Sequence, residues 1–267
     1  MRLLLTNDDG IHAPGILALV KSLRGLGEIT VVAPDREQSG MGASFTLHRP
    51  VRVRRLRTRG ARYYAVDGTP GDAVIVALGH IMAEEKPDLV ISGINHGTNL
   101  GADVFLSGTV GAALHAHIRG IPSIAISMPL RKRLRYRTAA AVARSLAEQI
   151  LADTESYAGL LFNVTVPNLG LDKLQGVEIT NLVPRAVNFD VTHGNDGRRD
   201  YYWISVERQT RSRRGVDIQE GTDVWALREK KVSITPVQMD ATAYGAIEKL
   251  GNLQKAVSTL TQEGVPN

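Results

Sequence analysis

The stretch LLLTNDDGIHAPGILALVKSLRGLGEITVVAP, residues 3–34, decides the fold. It opens with a short apolar run at 3–5 that predicts a buried strand, and this strand leads into a polar turn at 7–10. Pro14 suits the first turn of the helix that follows, because no backbone donor is needed there. A second apolar run at 29–33 completes a strand–helix–strand unit. Because such crossovers are right-handed, the two strands are predicted to lie parallel in one sheet.

The same alternation of strand and helix patterns continues to about residue 164. Apolar runs bounded by turn residues alternate with segments whose apolar residues recur at helical spacing. The predicted strands are 51–53, 62–66, 89–91, 121–127 and 160–164, and the predicted helices are 72–82, 110–118 and 138–151. The fold class is therefore predicted to be α/β, Rossmann-like and doubly wound, with a mostly parallel sheet.

The C-terminal third follows a different pattern. Residues 176–236 contain short alternating segments separated by polar turns, which indicates hairpins rather than strand–helix–strand units. The predicted elements are strands at 177–179, 201–204 and 232–234 and a terminal helix at 241–250. We therefore predict one domain over residues 1–267 with a C-terminal β-hairpin extension. The extension, at about 176–236, is interpreted as an arm that packs on a partner subunit.

Composition excludes several classes of protein. The chain has no cysteine, so disulfides, thiolate metal sites and cysteine nucleophiles are excluded. No apolar run approaches the ~18 residues that a membrane-spanning helix needs. The three consecutive leucines near the N terminus are too few for a signal-peptide core. We therefore expect a cytoplasmic protein that does not bind a membrane.

The net charge of +5 is concentrated in three basic runs, 52–62, 131–137 and 208–215. Such runs indicate either nucleic-acid binding or a solvated surface that attracts small anions. Few aromatic residues that could stack on bases lie near them. A small anionic substrate is therefore the expected partner, and nucleic acid is not.

Three polar clusters follow predicted parallel strands. They are Asn7-Asp8-Asp9 after the first strand, Ser39-Gly40 after the second, and Ser92-Gly93-Ile94-Asn95 after the strand at 89–91. In a doubly wound sheet, ligands bind outside the carboxyl ends of the strands. The three clusters are therefore predicted to gather along one edge of the sheet.

Asp8 and Asp9 are the candidate catalytic and metal-binding residues. Two adjacent carboxylates at a strand end repel each other unless a cation or hydrogen-bond donors neutralise them. Mg²⁺, Mn²⁺ and Ca²⁺ all accept carboxylate, amide and hydroxyl oxygens, so Ser39 and Asn95 would complete the ligand set. The alternative is an acidic turn whose aspartates bond to the backbone. Convergence of the four residues on one edge favours the metal.

The segment Ser107-Gly108-Thr109-Val110-Gly111 opens a predicted helix and suits a phosphate group. Free N–H groups at a helix N terminus attract anions. An ordinary Ser/Thr N-cap accounts for the same residues equally well. His96, in the long loop before them, is interpreted as a proton donor or, preferably, as a surface residue. The first strand–helix turn lacks G-x-G-x-x-G, which argues against a dinucleotide cofactor.

Several motifs, in order, resemble the survival protein SurE family of metal-dependent nucleotidases. They are LLTNDDGIHAPG (4–15), VVAPDREQSGMGAS (31–44), VDGTPGDAV (66–74), DLVISGINHGTNLGADVFLSGTVGAA (88–113), FNVTVPN (162–168) and VSITPVQMDAT (232–242). The resemblance spans nearly the whole chain. It implies a core that hydrolyses nucleoside 5′- and 3′-monophosphates and, in some members, short polyphosphate. It also implies homodimers or homotetramers that exchange C-terminal hairpin arms.

The resemblance implies roles for individual residues. One divalent ion per subunit, Mg²⁺ or Mn²⁺, would be held by Asp8, Asp9, Ser39 and Asn95. The residues expected to contact substrate or phosphate are Asn7, Gly40, Asn99, Ser107, Gly108 and Thr109. The chain departs from the family at Leu106, often tyrosine, at His115, often glutamate, and at Ala73, often cysteine. The first two departures bear on the pocket wall and therefore on substrate preference.

The sequence leaves the nucleophile and two rival functions open. A metal-activated water is favoured as nucleophile over direct attack by Asp8 or Asp9, since both carboxylates are expected to be committed to the metal. One rival is an aspartyl-phosphate-type phosphatase, although those enzymes usually show D-x-D rather than adjacent aspartates. The other is a non-catalytic nucleotide- or RNA-binding stress module, which the basic runs motivate.

Overall fold

A computed structural model describes residues 1–58, 60–184, 189–206 and 218–263. The strands are β1 (Arg2–Thr6), β2 (Glu28–Pro34), β3 (Val53–Leu56), β4 (Arg62–Val66), β5 (Leu89–His96), β6 (Ser123–Met128), β7 (Leu161–Thr165), β8 (Val177–Ile179), β9 (Phe189–Asn195), β10 (Asp200–Val206) and β11 (Val232–Val237). The α-helices are α1 (Pro14–Leu23), α2 (Pro70–Val76), α3 (Gly108–His117), α4 (Tyr136–Ala152), α5 (Asp223–Arg228), α6 (Tyr244–Ile247) and α7 (Gly251–Glu263).

The main sheet has nine strands in the order β3-β4-β2-β1-β5-β6-β7-β11-β8. The six strands from β4 to β7 in that order are all parallel to their neighbours. β3 and β11 pair antiparallel with β4 and β7 and so flank the parallel block. Strand order reverses around β1, the first strand of the chain, as in doubly wound folds. The predicted α/β class with a mostly parallel sheet is confirmed.

Strand β1 supplies side chains to the cores on both faces of the sheet. Leu3 and Leu5 are fully buried in one core, which includes apolar residues of α1 and α4. Leu4 is fully buried in the other core, which includes residues of α2 and α3. Successive side chains of a strand point to opposite faces, so an uninterrupted apolar run is what a strand covered on both sides requires.

Most predicted elements differ from the structure by a few residues at their ends, and four of them show the kinds of difference. The strand predicted at 89–91 continues to His96, so the SGIN motif lies within β5 and not in a loop. The helix predicted at 72–82 begins at Pro70, because Thr69 caps it, and continues past Val76 as a wider π-helical turn. The remaining two are β3, shifted from 51–53 to Val53–Leu56, and the terminal helix, shifted from 241–250 to α6 and α7.

The prediction that 177–179 belongs to a hairpin is wrong. These residues form β8, which pairs parallel with β11 at the edge of the main sheet. A hairpin would require an antiparallel neighbour joined by a short turn. The short alternating pattern of 177–179 fits any half-exposed edge strand, so it does not distinguish the two arrangements.

The predicted C-terminal hairpin is present as β9 and β10. The two strands form a separate antiparallel sheet with seven residue pairs, Phe189 opposite Val206 to Asn195 opposite Asp200. Its large apolar side chains are exposed, including Trp203 at 70% and Ile204 at 71%. A two-stranded sheet alone is marginally stable in water, so this hairpin needs a covering surface. The basic run at 208–215 lies outside the described residues.

The chain forms two compact units, residues 1–237 and the segment that begins at Gln238. The second unit contains α6 and α7, which carry exposed apolar side chains. These are Tyr244, Ile247, Leu253 and Val257. In the described parts of both units, every helix is too short or too polar to cross a membrane.

Candidate active site

Asp8 lies immediately beyond β1 and is almost fully buried, with 3% of its surface exposed. The hydroxyl of Thr109, in the first turn of α3, donates a 2.5 Å hydrogen bond to Asp8 Oδ1. The backbone N–H of Gln38 donates to the Asp8 carbonyl at 2.7 Å. Gly108 lies directly against this carboxylate, because a methyl group there would be 2.9 Å from Asp8 Cβ. The structure therefore brings β1, the loop after β2 and the N terminus of α3 together at one aspartate.

Burial raises the pKa of Asp8 to about 6, although the hydrogen bond from the Thr109 side chain lowers it. The neighbouring charge of Asp9 raises the pKa further. The backbone of Thr109 also stabilises the charged form. A carboxylate held in this way is poorly solvated and gains from any cation that approaches it.

Asp9 follows Asp8 in the chain but has a different partner, His96 at the end of β5. His96 Nδ1 lies 2.8 Å from Asp9 Oδ1, and the Asp9 side chain is only 3% exposed. Beyond this contact with His96, the buried Asp9 Oδ1 meets no hydrogen-bond donor among the described residues. Burial raises the pKa of Asp9, and the nearby His96 opposes the rise. His96 is therefore part of the carboxylate cluster and not an isolated surface residue.

Ser39 and Asn95, the other two predicted metal ligands, make local hydrogen bonds. The exposed Ser39 hydroxyl donates to Glu37 Oε1 at 2.8 Å. The Asn95 side-chain N–H donates to the Gly97 carbonyl at 2.8 Å, so the oxygen of the same amide is the atom that could bind a cation. Gly40, next to Ser39, is exposed with φ +78.

Ser107 and Thr109 both have structural hydrogen bonds at the start of α3. The Ser107 hydroxyl accepts from the Val110 N–H at 3.2 Å, so it caps the helix. Thr109 is fully buried and donates its hydroxyl to Asp8. The N-cap interpretation of Ser107 is therefore confirmed, and the same cap directs the first N–H groups of α3 towards the carboxylates.

Two buried asparagines each have one unpaired side-chain atom. Asn7 donates to the Gly10 carbonyl at 2.9 Å, while its Oδ1 accepts no hydrogen bond from the described residues. Asn99 is 5% exposed, and its Nδ2 has no acceptor among those residues. Buried polar atoms left unpaired are costly, so each points to a ligand, an ion or a water. An Asn99 amide that needs an acceptor suits an anion.

The survival protein SurE family model matches residues 3–188. The chain belongs to the SurE family. A relative from Geobacter sulfurreducens named 5′-nucleotidase SurE is 44% identical over 94% of this chain and 92% of its own length. A second relative with the same name, from Vibrio parahaemolyticus, is 41% identical over 96% of this chain and 95% of its own length. The crystal structure of the SurE protein from Aquifex aeolicus has a TM-score of 0.79 and 38% identity, covering 95% of this chain and all of that one.

Two further residues of this SurE family member hold the segment that carries Asn99, and the sequence did not reveal them. Asn163 on β7 donates to the Asn99 carbonyl at 2.8 Å. Asp223, fully buried at the start of α5, accepts from the Gly101 N–H at 2.7 Å. Asn163 lies in the FNVTVPN motif, but a contact between residues 64 apart has no local spacing that a sequence pattern could show.

The side chains present restrict how a cation can be held at the SurE site. In the described ranges, no three His, Cys, Asp or Glu side chains cluster so that they could hold a metal ion. A cation beside Asp8 and Asp9 would therefore need hydroxyl, amide or water oxygens to complete its shell. Such an oxygen-rich set suits a hard cation such as Mg²⁺ or Mn²⁺ rather than a soft one.

Proposed function

We propose that this SurE family member is a metal-dependent 5′-nucleotidase that hydrolyses nucleoside 5′-monophosphates to nucleoside and phosphate. The observation that carries the proposal is the buried Asp8–Asp9 pair at the carboxyl edge of β1, against the N terminus of α3. Negative side chains alone would repel a phosphate. A cation between the carboxylates and the phosphate, together with the N–H groups at the start of α3, makes this edge attractive to a phosphate. The relatives named 5′-nucleotidase support this substrate class.

The residues at this edge fit a divalent cation. Asp9 Oδ1 is buried and, apart from His96, has no hydrogen-bond donor among the described residues, so a cation would satisfy it. We assign Asp8, Asp9, Ser39 and Asn95 as the residues that would hold one Mg²⁺ or Mn²⁺ per subunit. When bound, such an ion polarises a phosphoryl oxygen and offsets charge in the transition state.

The chain itself supplies orientation and anion binding. Thr109 fixes the Asp8 carboxylate through its 2.5 Å hydrogen bond, and His96 Nδ1 lies 2.8 Å from Asp9 Oδ1. The N–H of Gly108 and the unpaired amide of Asn99 would hold the phosphoryl oxygens. Because Asp8 Oδ1 is committed to Thr109 inside the protein, we assign the attack on phosphorus to water and not to this carboxylate.

We further propose that 3′-monophosphates and short polyphosphate are substrates, and that the protein acts in the cytoplasm as a homodimer or homotetramer. The arm at about 176–236 would supply the contact between subunits. Support comes from the apolar side chains that its hairpin exposes, Phe189, Val191, Trp203 and Ile204. The comparisons do not favour the aspartyl-phosphate phosphatase or the non-catalytic binding module, because the relatives carry nucleotidase names.

A phosphate-release assay tests the proposed function. Nucleoside 5′- and 3′-monophosphates, short polyphosphate and sugar phosphates are each incubated with Mg²⁺, Mn²⁺ or EDTA. Phosphate should be released from 5′-monophosphates with metal and not with EDTA. Asp8→Asn and Asp9→Asn should each lower turnover by at least about 1,000-fold while the circular dichroism spectrum is retained. Glu155→Gln, which removes an exposed carboxylate, is the control and should keep full turnover. Near-normal turnover in both aspartate variants would refute the proposal.

A further inference from the structure

The Ser39 loop, residues 35–47, has no helix or strand of its own, and most of its residues are exposed. Two other elements nevertheless hold its distal end, residues 43–46, by hydrogen bonds. These elements are α2 and α3, and neither contact follows from the local sequence of the loop. The proposed metal ligand Ser39 lies between this distal end and the contact of Gln38 with Asp8.

Asp72 of α2 is the first holding residue. It is 3% exposed, and its carboxylate accepts hydrogen bonds from the Thr46 N–H at 2.8 Å and the Thr46 hydroxyl at 2.7 Å. It also accepts from the Thr69 N–H at 2.9 Å, which completes a capping box at the start of α2. These donors lower the pKa of Asp72 even though its burial acts to raise it. One ionised side chain therefore caps α2 and holds the Ser39 loop.

His115 of α3 is the second holding residue. Its Nε2 lies 3.0 Å from the Ala43 carbonyl oxygen, and only 7% of the residue is exposed. Because a carbonyl oxygen only accepts, Nε2 must carry the proton and donate it. The Phe45 ring packs edge-on against the imidazole at 6.2 Å between centroids. Burial lowers the pKa of His115, and the hydrogen bond to the Ala43 carbonyl opposes this fall.

Glycines allow α2 and α3 to approach the loop closely. A methyl group on Gly71 would lie 2.6 Å from the Ser44 carbonyl oxygen and 2.7 Å from His115 Nε2. One on Gly111 would lie 2.0 Å from the Gly42 carbonyl oxygen. Real Cβ atoms do not tolerate such distances, so the loop, α2 and α3 meet in one arrangement.

We propose that Asp72 and His115 are positioning residues, which fix the distal end of the Ser39 loop and thereby keep Ser39 at the Asp8–Asp9 edge. The inference rests on the proposed function, in which Ser39 is a metal ligand. Neither residue needs to touch metal or substrate. Their effect would reach Ser39 through residues 40–43, a short span in which the Gly42 N–H also bonds to the Leu106 carbonyl at 3.0 Å.

Replacement of His115 tests the proposal through the metal. His115→Leu removes the donor to Ala43, whereas His115→Gln places an amide N–H where the imidazole N–H was. We expect His115→Leu to weaken Mn²⁺ binding, measured by calorimetry without substrate, by about 10-fold, because residues that support metal ligands have effects of this size. His115→Gln should remain within about 3-fold of the unmodified chain. His117→Leu, on the same helix, is the matched control and should leave Mn²⁺ affinity unchanged.

A double-mutant cycle with Ser39→Ala distinguishes positioning from general destabilisation. Once Ser39 has lost its hydroxyl, His115→Leu should change Mn²⁺ affinity by less than about 2-fold, because coupled residues are not additive. A full 10-fold loss in the Ser39→Ala background, or an unchanged affinity with only a lower melting temperature, would overturn the proposal. If His115→Leu does not fold, Thr46→Val, which removes one bond to Asp72, replaces it with the same expected direction.

The calorimetric readout separates this inference from the proposed function. If the unmodified chain binds Mn²⁺ but releases no phosphate from any nucleotide, the proposed function fails, and the cycle still decides whether His115 and Ser39 are coupled. If phosphate is released and the cycle is additive, the positioning role fails alone.

Discussion

The two sides of the candidate site are built differently. On the strand side, Asp8 and Thr109 are buried, hydrogen-bonded to each other and backed by Gly108. On the loop side, Ser39 and Gly40 are exposed, and within the described parts of the chain the Ser39 hydroxyl bonds to Glu37, two residues away. The strand side is thus fixed by close packing. The loop side is held instead by hydrogen bonds on either side of Ser39, from Gln38 to the Asp8 carbonyl and at residues 43–46.

This difference predicts how each side responds to substitution. A packed side has no room to relax, so a small addition displaces a reacting group. An exposed loop can relax, so an added methyl group there should cost backbone free energy and displace the metal ligand only slightly. Glycine-to-alanine substitutions on the two sides measure this directly, because each adds a single methyl group.

Gly108→Ala should have the largest effect. The added methyl group would lie 2.9 Å from Asp8 Cβ and 3.2 Å from the Gln38 carbonyl oxygen, so the carboxylate must move. We expect kcat/KM to fall by about 100- to 1,000-fold, as when a catalytic group is displaced by an ångström. Gly79→Ala, whose methyl group would meet nothing within 4 Å, is the matched control in phosphate-release kinetics. Equal activity of the two variants would show that the strand side is not tightly packed.

The second-largest expected effect is a pH dependence of stability that comes from the buried Asp8 carboxylate. The Asp8 pKa rises from 3.8 in the unfolded chain to about 6 in the metal-free fold, so between these pH values only the folded state keeps the proton. The unfolding free energy should therefore fall as pH rises through this window, by about 3 kcal/mol for this group. Chemical denaturation in EDTA at pH 4 to 7 gives the unfolding free energies of the unmodified chain and of Asp8→Asn. The difference between the two pH profiles is the contribution of Asp8. Parallel profiles would contradict a raised Asp8 pKa.

The strand side was also the more predictable from sequence. The run at 3–5 placed β1, and the rule that ligands bind at the carboxyl ends of parallel strands placed Asp8 and Asp9 at the site. The bond from Thr109 to Asp8 spans 101 residues and was not predictable, because Ser107-Gly108-Thr109 fitted a helix cap equally well. Sequence spacing shows which edge a residue reaches and not which atom it meets there.

The loop side shows the opposite limitation. Ser39 and Asn95 were predicted as ligands from their place after strands, and they remain predictions, since their side chains bond locally in the structure. Two residues that hold this side are Asp72 and His115. The sequence linked His115 to the pocket wall and gave Asp72 no role at the site, and it linked neither residue to the Ser39 loop. The capping role of Asp72 at the start of α2 is visible in the sequence. Its bond to Thr46 is not, because the two residues are 26 apart and only the fold brings them together.

Gly40→Ala gives the smallest expected effect and the closest test of the loop side. The added methyl group meets nothing within 4 Å, but φ is +78, so the cost is backbone strain of about 1 kcal/mol. Gly25→Ala, with φ +89 and equally open space after α1, should cost the same stability. If the loop positions Ser39, only Gly40→Ala should raise the Mn²⁺ concentration for half-maximal phosphate release, by about 5-fold. If Gly40→Ala and Gly25→Ala lose equal stability and need the same Mn²⁺ concentration, the loop tolerates strain without moving Ser39. The strand side and the loop side would then differ in exposure alone.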